Sequence, residues 1–217
     1  MTSGNRDHGA RKSVYNGLTL RLYDAGVLGL TNRLIWRCPT SRQVEHYRHN
    51  VGASHLDIGP GTGYYLERID SPTVTLLDLN PDWLDAAQNR IRPHQAVHRL
   101  QRSFFDPIPD GQTFDSIGLS FLLHCIPSSE KWTRLETLRE HLRPGGRVFG
   151  STVIIDPRTA SGLARTLNAA YGRLGVFGNA ADTVADLETA LAGLDDVTIE
   201  RDGQVILFAG TRPLEES

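Results

Sequence analysis

The chain has 217 residues, 39% apolar and 22% charged, enough for one domain with a sizeable core and too apolar for a disordered chain. Its 23 Lys and Arg against 25 Asp and Glu leave a net charge of -2, which offers no strong basic field, so neither nucleic acid nor a membrane surface is an expected partner. Two cysteines, Cys38 and Cys125, are too few for a disulfide framework and match no zinc spacing, so no metal and a reducing, cytoplasmic compartment are expected. The longest apolar stretch, Ile117 to Ile126, is interrupted by Ser120 and His124 and falls far short of the roughly 20 residues that span a bilayer.

Residues 1–13 are Gly, Ser and charge, a pattern that predicts a disordered leader without the apolar region of a signal peptide. From Val14 to Trp36 large apolar residues recur at helical spacing, broken by Gly17, Gly26 and Gly29, which predicts two short helices; Cys38-Pro39 ends them, and Ser41 caps another to about Arg48. Residues 14–50 thus read as a helical cap on a single domain whose core is 51–217. Beyond Gly52, short β-branched and apolar runs alternate with helical stretches, the pattern of an α/β domain. Strands are predicted at Ser54–Ile58, Thr73–Leu79, Ala96–Leu100, Phe114–Ser120 and Arg147–Ile154. Helices are predicted from Pro81 to about Ile91, from Ser128 or Ser129 to near Arg143, and over about 160–173 and 182–191. Val197–Glu200 and Val205–Gly210 read as an antiparallel hairpin.

The strongest local signal is His55-Leu56-Asp57-Ile58-Gly59-Pro60-Gly61-Thr62-Gly63, a glycine-rich turn between the first strand and a predicted helix, where backbone N–H groups can approach a ligand closely. It is not the dinucleotide pattern, because Tyr64 stands where the third glycine belongs. Asp57 at the strand end repels a pyrophosphate and favours a cationic or zwitterionic ligand. Nineteen residues after Gly59, Asp78 ends the second strand, where a carboxylate either accepts both hydroxyls of a ribose or merely faces solvent before Asn80.

These features, with the Phe114-Asp115-Ser116-Ile117 strand and the Leu142-Arg143-Pro144-Gly145-Gly146 turn, resemble the ordered motifs of class I S-adenosylmethionine-dependent methyltransferases over about residues 53–155. The resemblance implies a Rossmann-like seven-stranded sheet with its last strand antiparallel, flanked by helices, and S-adenosylmethionine as cofactor, with S-adenosylhomocysteine as product. Carried over by position, Asp57, Gly59, Gly61 and Gly63 would hold the methionine part, Asp78 the ribose, and Leu79 the adenine. Ser103 stands where the family often has an acidic residue, and Phe104 beside it would stack on the adenine face. Ser120 to His124, leaving the fourth strand, would border the cofactor and line the methyl-transfer site. The Trp36-Arg37-Cys38-Pro39 arrangement is similar to small methyltransferases of microbial secondary metabolism, which implies a small-molecule acceptor.

Methyl transfer from a sulfonium is an in-line displacement that requires alignment and exclusion of water; a base helps a phenol, with a pKa of about 10, more than a thiol at about 8.5. His124 has two readings, a general base at the acceptor site or a histidine packed under the following helix. Cys125 reads as an apolar filler. Tyr15, Tyr23 and Trp36 in the cap, and Tyr171 and Phe177 around the Gly172–Gly178 loop, are either walls of an acceptor pocket or core. The remaining histidines outside the strands, His8, His46, His49, His94 and His141, are expected to be solvated, and His55 and His98 to lie on a sheet face. The expected activity is methylation of a hydroxyl or thiol of a small hydrophobic metabolite by a monomer or homodimer. Two other classes stand beside it: a nicotinamide oxidoreductase, against which the missing third glycine and the lack of a Tyr-x-x-x-Lys pair count, and a non-catalytic S-adenosylmethionine-binding or partner protein.

Overall fold

The structure, a computed structural model, describes residues 35–214. The predicted leader and paired helices, with Tyr15 and Tyr23, lie outside the described residues. Elements follow in the order α1 (Thr40–Asn50), β1 (Ser54–Ile58), β2 (Thr73–Asp78), α2 (Pro81–Gln88), β3 (Ala96–Gln101), β4 (Phe114–Ser120), α3 (Glu130–Thr137), β5 (Leu142–Val153), α4 (Gly162–Arg173), α5 (Val184–Leu191), β6 (Asp195–Asp202) and β7 (Val205–Thr211). They build a seven-stranded sheet in the order β3-β2-β1-β4-β5-β7-β6. The first five strands are parallel to their neighbours, and β7 runs antiparallel to both β5 and β6.

Because β1 and β4 have neighbours on both edges and helices on both faces, nearly every residue along them is buried, the polar His55, Asp57 and Ser116 included. One face packs Tyr47 of α1 and Leu84 and Ala87 of α2 on Val74, Leu76 and Phe149. The opposite face packs Trp132 and Leu135 of α3 and Leu187 and Leu191 of α5 on Leu56, Ile58, Ile117 and Leu119. A third cluster, beyond the C-terminal end of β5, joins Trp36 and Cys38 to Val153, Ala164 of α4, Val205 and Leu207. The start of α2 follows from Asn80, whose side chain accepts the Asp82 N–H at 2.9 Å, with Pro81 at the first helical position.

Several boundaries differ from the sequence reading: among them, α1 begins at Thr40 after Pro39 with no side-chain cap from Ser41, and β6 runs from Asp195 to Asp202 rather than Val197 to Glu200. No α-helix follows the glycine turn; a single 3-10 turn, Leu66–Arg68, is all that fits before Ser71-Pro72 and β2. The predicted helix from Ser128 or Ser129 to Arg143 divides into α3 and a 3-10 turn, Leu138–His141. Strand β5 begins at Leu142 rather than Arg147, because Gly145, at φ +77°, lets the Pro-Gly-Gly stretch remain in the sheet as an irregularity. Leu142 pairs with Phe114, Gly145 N–H donates to Arg212 O at 2.9 Å, and Arg212 N–H donates to Gly146 O at 2.8 Å. Among the described residues, no helix is long and apolar enough to cross a membrane.

Candidate functional site

At the C-terminal end of β1 the chain turns at Gly59, which donates its N–H to Leu77 O at 2.8 Å, and closes with Gly63 N–H on Pro60 O at 2.9 Å. Gly59, Gly61 and Gly63 all have positive φ, at +69°, +53° and +75°. A Cβ added at Gly61 would meet no atom within 4 Å, so the backbone there is open to a ligand, whereas one at Gly63 would stand 2.7 Å from Ala87 Cα. Left-handed strain and that collision are expected to make Gly63→Ala destabilising by about 2–3 kcal/mol. Denaturant unfolding checks this; a change below about 0.5 kcal/mol would contradict the assigned packing of the turn on α2.

Asp57 sits under this turn at 3% exposure, and its Oδ2 accepts the Tyr47 hydroxyl at 2.8 Å. Burial pushes its carboxyl up to about 7; the Tyr47 hydrogen bond opposes that rise and the Asp78 charge adds to it. Oδ1 has no hydrogen-bond partner among the described residues. Asp78, at the end of the neighbouring strand, accepts Asn80 N–H at 2.8 Å; burial raises its pKa while the backbone amides of Asn80 and Leu79 restrain it. Leu79, next along, is 69% exposed, an unusual position for a large apolar side chain. Two acidic groups without a cation, an open glycine edge and an exposed leucine fit a ligand carrying an ammonium, a ribose and a flat base.

The β3 side contributes less. Ser103 is engaged in its own turn, its N–H donating to Asp106 Oδ2 at 2.8 Å and its Oγ accepting Phe105 N–H at 3.3 Å. Phe104 points into the core, 8% exposed, with Phe105 the exposed ring of the pair.

At the exit of β4, Ser120 pairs with Ser151, and Phe121 adopts φ +57° while its N–H donates to Ser151 O at 2.8 Å. A bulky residue in the left-handed region is strained, and such strain concentrates at functional sites. His124 follows in a 3-10 turn, Leu123–Cys125, 3% exposed. Its Nδ1 accepts the Val153 N–H at 3.4 Å; burial, and then the charge of Lys131, lower its pKa to about 3. The neutral ring therefore carries its proton on Nε2, which has no partner among the described residues. Aromatic rings surround it: Phe177 at 4.5 Å and Phe121 at 5.5 Å, both edge-on, with Tyr171 at 4.9 Å and Trp36 at 5.9 Å from Phe177. The structure thus brings together Trp36, His124, Tyr171 and Phe177, residues spread over most of the described chain. Cys125, in contrast, is exposed rather than a filler. His46 is half-buried rather than solvated, with Nε2 at 3.0 Å from Phe208 O, and burial lowers its pKa.

Three features escaped the sequence reading. Tyr47 lay in a segment read only as a helix. Phe121 lies within the Ser120 to His124 run expected at the methyl-transfer site, but its positive φ gave no signal, because that is not encoded by a phenylalanine. Lys131, 1% exposed, donates to Leu123 O at 3.0 Å, Ile126 O at 2.9 Å and Asp182 Oδ2 at 2.6 Å, fastening the turn that carries His124. The available signal was a lysine one position before Trp132, in the first turn of a helix whose neighbour is core.

Comparison with known proteins agrees with this geometry. A family described as "Methyltransferase domain" matches residues 56–148. The physcion biosynthesis cluster O-methyltransferase of Aspergillus chevalieri is 34% identical over 213 residues, 93% of this chain and 94% of that protein. The N-methyltransferase vrtF of Penicillium aethiopicum is 33% identical over 186 residues, 82% of this chain and 78% of its own length. Among solved structures, an O-methyltransferase family protein from Burkholderia thailandensis superposes with a TM-score of 0.66 at 18% identity, over 91% of this chain and 60% of that one, which establishes the shared fold. The sheet order, the glycine turn and these relatives, one of them matched over 94% of its length, together show that the chain belongs to the class I S-adenosylmethionine-dependent methyltransferases.

Proposed function

We propose that this protein transfers the methyl group of S-adenosylmethionine to a hydroxyl of a small, flat, hydrophobic metabolite of secondary metabolism. The observation that carries this reading is the neutral His124 ring set among Phe121, Phe177, Tyr171 and Trp36 at the exit of β4, the strand beside β1 and its cofactor turn. In this reading Asp57 and the glycine turn receive the methionine part, Asp78 the ribose hydroxyls and Leu79 the adenine. Ser120 borders the cofactor, and the aromatic rings hold the acceptor in line with the sulfonium while excluding water. When bound, the cofactor supplies an electrophilic methyl and a thioether leaving group. His124, with Nδ1 engaged by the Val153 amide, directs Nε2–H at the acceptor oxygen and favours its anion.

An N–H aimed at the acceptor suits an oxygen anion better than an amine, which must offer its own lone pair. The O-methyltransferase relative supports this preference, and the N-methyltransferase relative makes methylation of an amine the second reading. Asp78→Ala is expected to weaken S-adenosylmethionine binding by about 1.5–3 kcal/mol, about tenfold to a hundredfold, from lost hydrogen bonds to a charged group. Calorimetry measures it directly, and an unchanged Kd would remove Asp78 from the cofactor site.

A further inference from the structure

We infer that Tyr47 is a positioning residue for the cofactor: with His55 and Ser116 it fixes one oxygen of the Asp57 carboxylate, and leaves the other to exchange a proton for the ammonium group of S-adenosylmethionine. The inference rests on the reading that Asp57 meets the methionine part of the cofactor.

With Asp57 ionised, the geometry is a hydrogen-bonded chain that runs in a single direction. Tyr47 Oη donates to Asp57 Oδ2 at 2.8 Å, so its one proton is used and the oxygen is an acceptor for His55 Nε2, 2.7 Å away. That makes His55 the Nε2–H tautomer, whose Nδ1 accepts the Ser116 hydroxyl at 2.8 Å. Ser116 Oγ in turn accepts the Gly52 N–H at 2.8 Å. With Asp57 ionised its carboxylate can only accept, and every link then has a donor and an acceptor only when Oδ2 receives the Tyr47 proton. All four residues are buried, and Tyr47 is clamped further by Tyr65, stacked at 5.2 Å, and by the edge of Phe149 at 5.1 Å. Oδ2 is therefore committed, and Oδ1 is the free position.

The groups acting on Asp57 are Tyr47 from α1 and Asp78 from β2, with His55 and Tyr65 packed against Tyr47 and no lysine or arginine in ion-pair contact with Asp57 among the described residues. Burial and the Asp57 charge hold the Tyr47 phenol well above its ordinary range, and burial lowers His55 to about 3, so neither changes charge near neutrality. Asp57, pushed up to about 7, is the member of the chain that titrates there. In the free protein Oδ1 holds a proton below that point. An ammonium group placed against it supplies the positive charge instead, the O–H bond breaks, and the proton leaves to solvent. The expected sign is net proton release on binding in mildly acidic solution, fading as pH rises. Above about pH 8 it reverses to uptake, because the free cofactor's own amine must then gain a proton.

The test is calorimetric titration of the protein with S-adenosylhomocysteine at about pH 6, 7 and 8.5, each in two buffers of different ionisation enthalpy, which counts protons independently of turnover. Close to one proton released near pH 6, falling to about half near pH 7, is expected. Tyr47→Phe removes the hydrogen bond that holds the carboxyl down, so release should persist to higher pH, and binding near pH 7 should weaken about fivefold with the loss shrinking as pH rises. Binding of S-adenosylhomocysteine to the unaltered protein without proton release near pH 6 overturns the inference, whether or not the variant folds. A Tyr47→Phe loss equal at every pH also overturns it, leaving Tyr47 a packing residue. Failure of the underlying site reading is distinct: Asp57→Asn would then bind S-adenosylhomocysteine near pH 8.5 as tightly as the parent.

Discussion

His124→Ala is expected to slow methylation of a hydroxyl acceptor roughly 100-fold near neutral pH while leaving S-adenosylmethionine affinity unchanged. The ring lies at the end of β4, away from Asp57 and Asp78, so cofactor contacts survive its loss. Removal takes away the Nε2–H that the neutral ring directs into the aromatic enclosure beside Phe177. Because burial and Lys131 lower its pKa to about 3, the ring stays neutral across the assay range, and acidification to about pH 5 should produce no loss of activity from this group. What pH dependence remains belongs to the acceptor and, through cofactor binding, to Asp57. The deficit of the alanine variant should therefore shrink where the acceptor is ionised in solution. His124→Gln separates donation from proton acceptance. An amide can donate but does not accept a proton in this range, so recovery of at least a tenth of parental kcat supports the donor role. Activity at the alanine level would instead make His124 a general base.

Lys131→Met is expected to cost about 3–5 kcal/mol of folding stability, the largest effect of any single substitution considered. The methionine keeps the length and apolar body of the side chain, so the loss isolates the charge. It strands the Asp182 carboxylate, whose side chain is 6% exposed, leaves the Ile126 carbonyl without the lysine that donates to it, and leaves Leu123 O with the Ile126 N–H alone. The turn carrying His124 loses its fastening at the same time, so kcat should fall with stability. Adding Asp182→Leu should return part of the lost stability, because an apolar pair replaces an orphaned charge, but not the activity that depends on the turn. Urea denaturation of the single and double variants tests both statements. A single variant within about 1 kcal/mol of the parent would show that the pair is not coupled to folding.

Much of this architecture is legible in the chain because local chemistry and tertiary role coincide there. The β1 and β4 bounds are the residues read from the sequence, where short stretches built on Leu56 and Ile58, and on Phe114, Ile117 and Leu119, are set between glycine-containing turns at Gly52, Gly59 and Gly111. The cap at Asn80 is likewise a short-range device, and so is the β6–β7 hairpin, although its turn is the two residues Gly203-Gln204 rather than the four from Arg201 to Gln204 that the sequence suggests. Arg143-Pro144-Gly145-Gly146 reads locally as a turn, yet backbone pairing to Phe114 and Arg212 draws it into β5. The glycine turn is evident from its spacing, but the stretch from Tyr64 to Pro72 is too short to complete the expected helix before β2 begins. Of the candidate site, Asp57, Asp78 and the glycines are the proposed contacts that the sequence offers, because each stands at or just after a strand end. Tyr47 is not. Its partnership with Asp57 depends on how α1 lies against the sheet, and an aromatic on a helix says only that one face is buried. Phe121 is hidden for a different reason, its positive φ being imposed by the pairing of its N–H with Ser151 rather than by its own side chain.

The most direct test of the central claim is to supply S-adenosylmethionine labelled with carbon-13 in its methyl group, together with a panel of phenols, thiols and amines built on flat aromatic frames, and to locate the label in the product by NMR. A methoxy carbon on the ring of a phenolic acceptor is the expected result. Label on nitrogen, sulfur or ring carbon, or no incorporation by protein that binds S-adenosylhomocysteine normally, would contradict it.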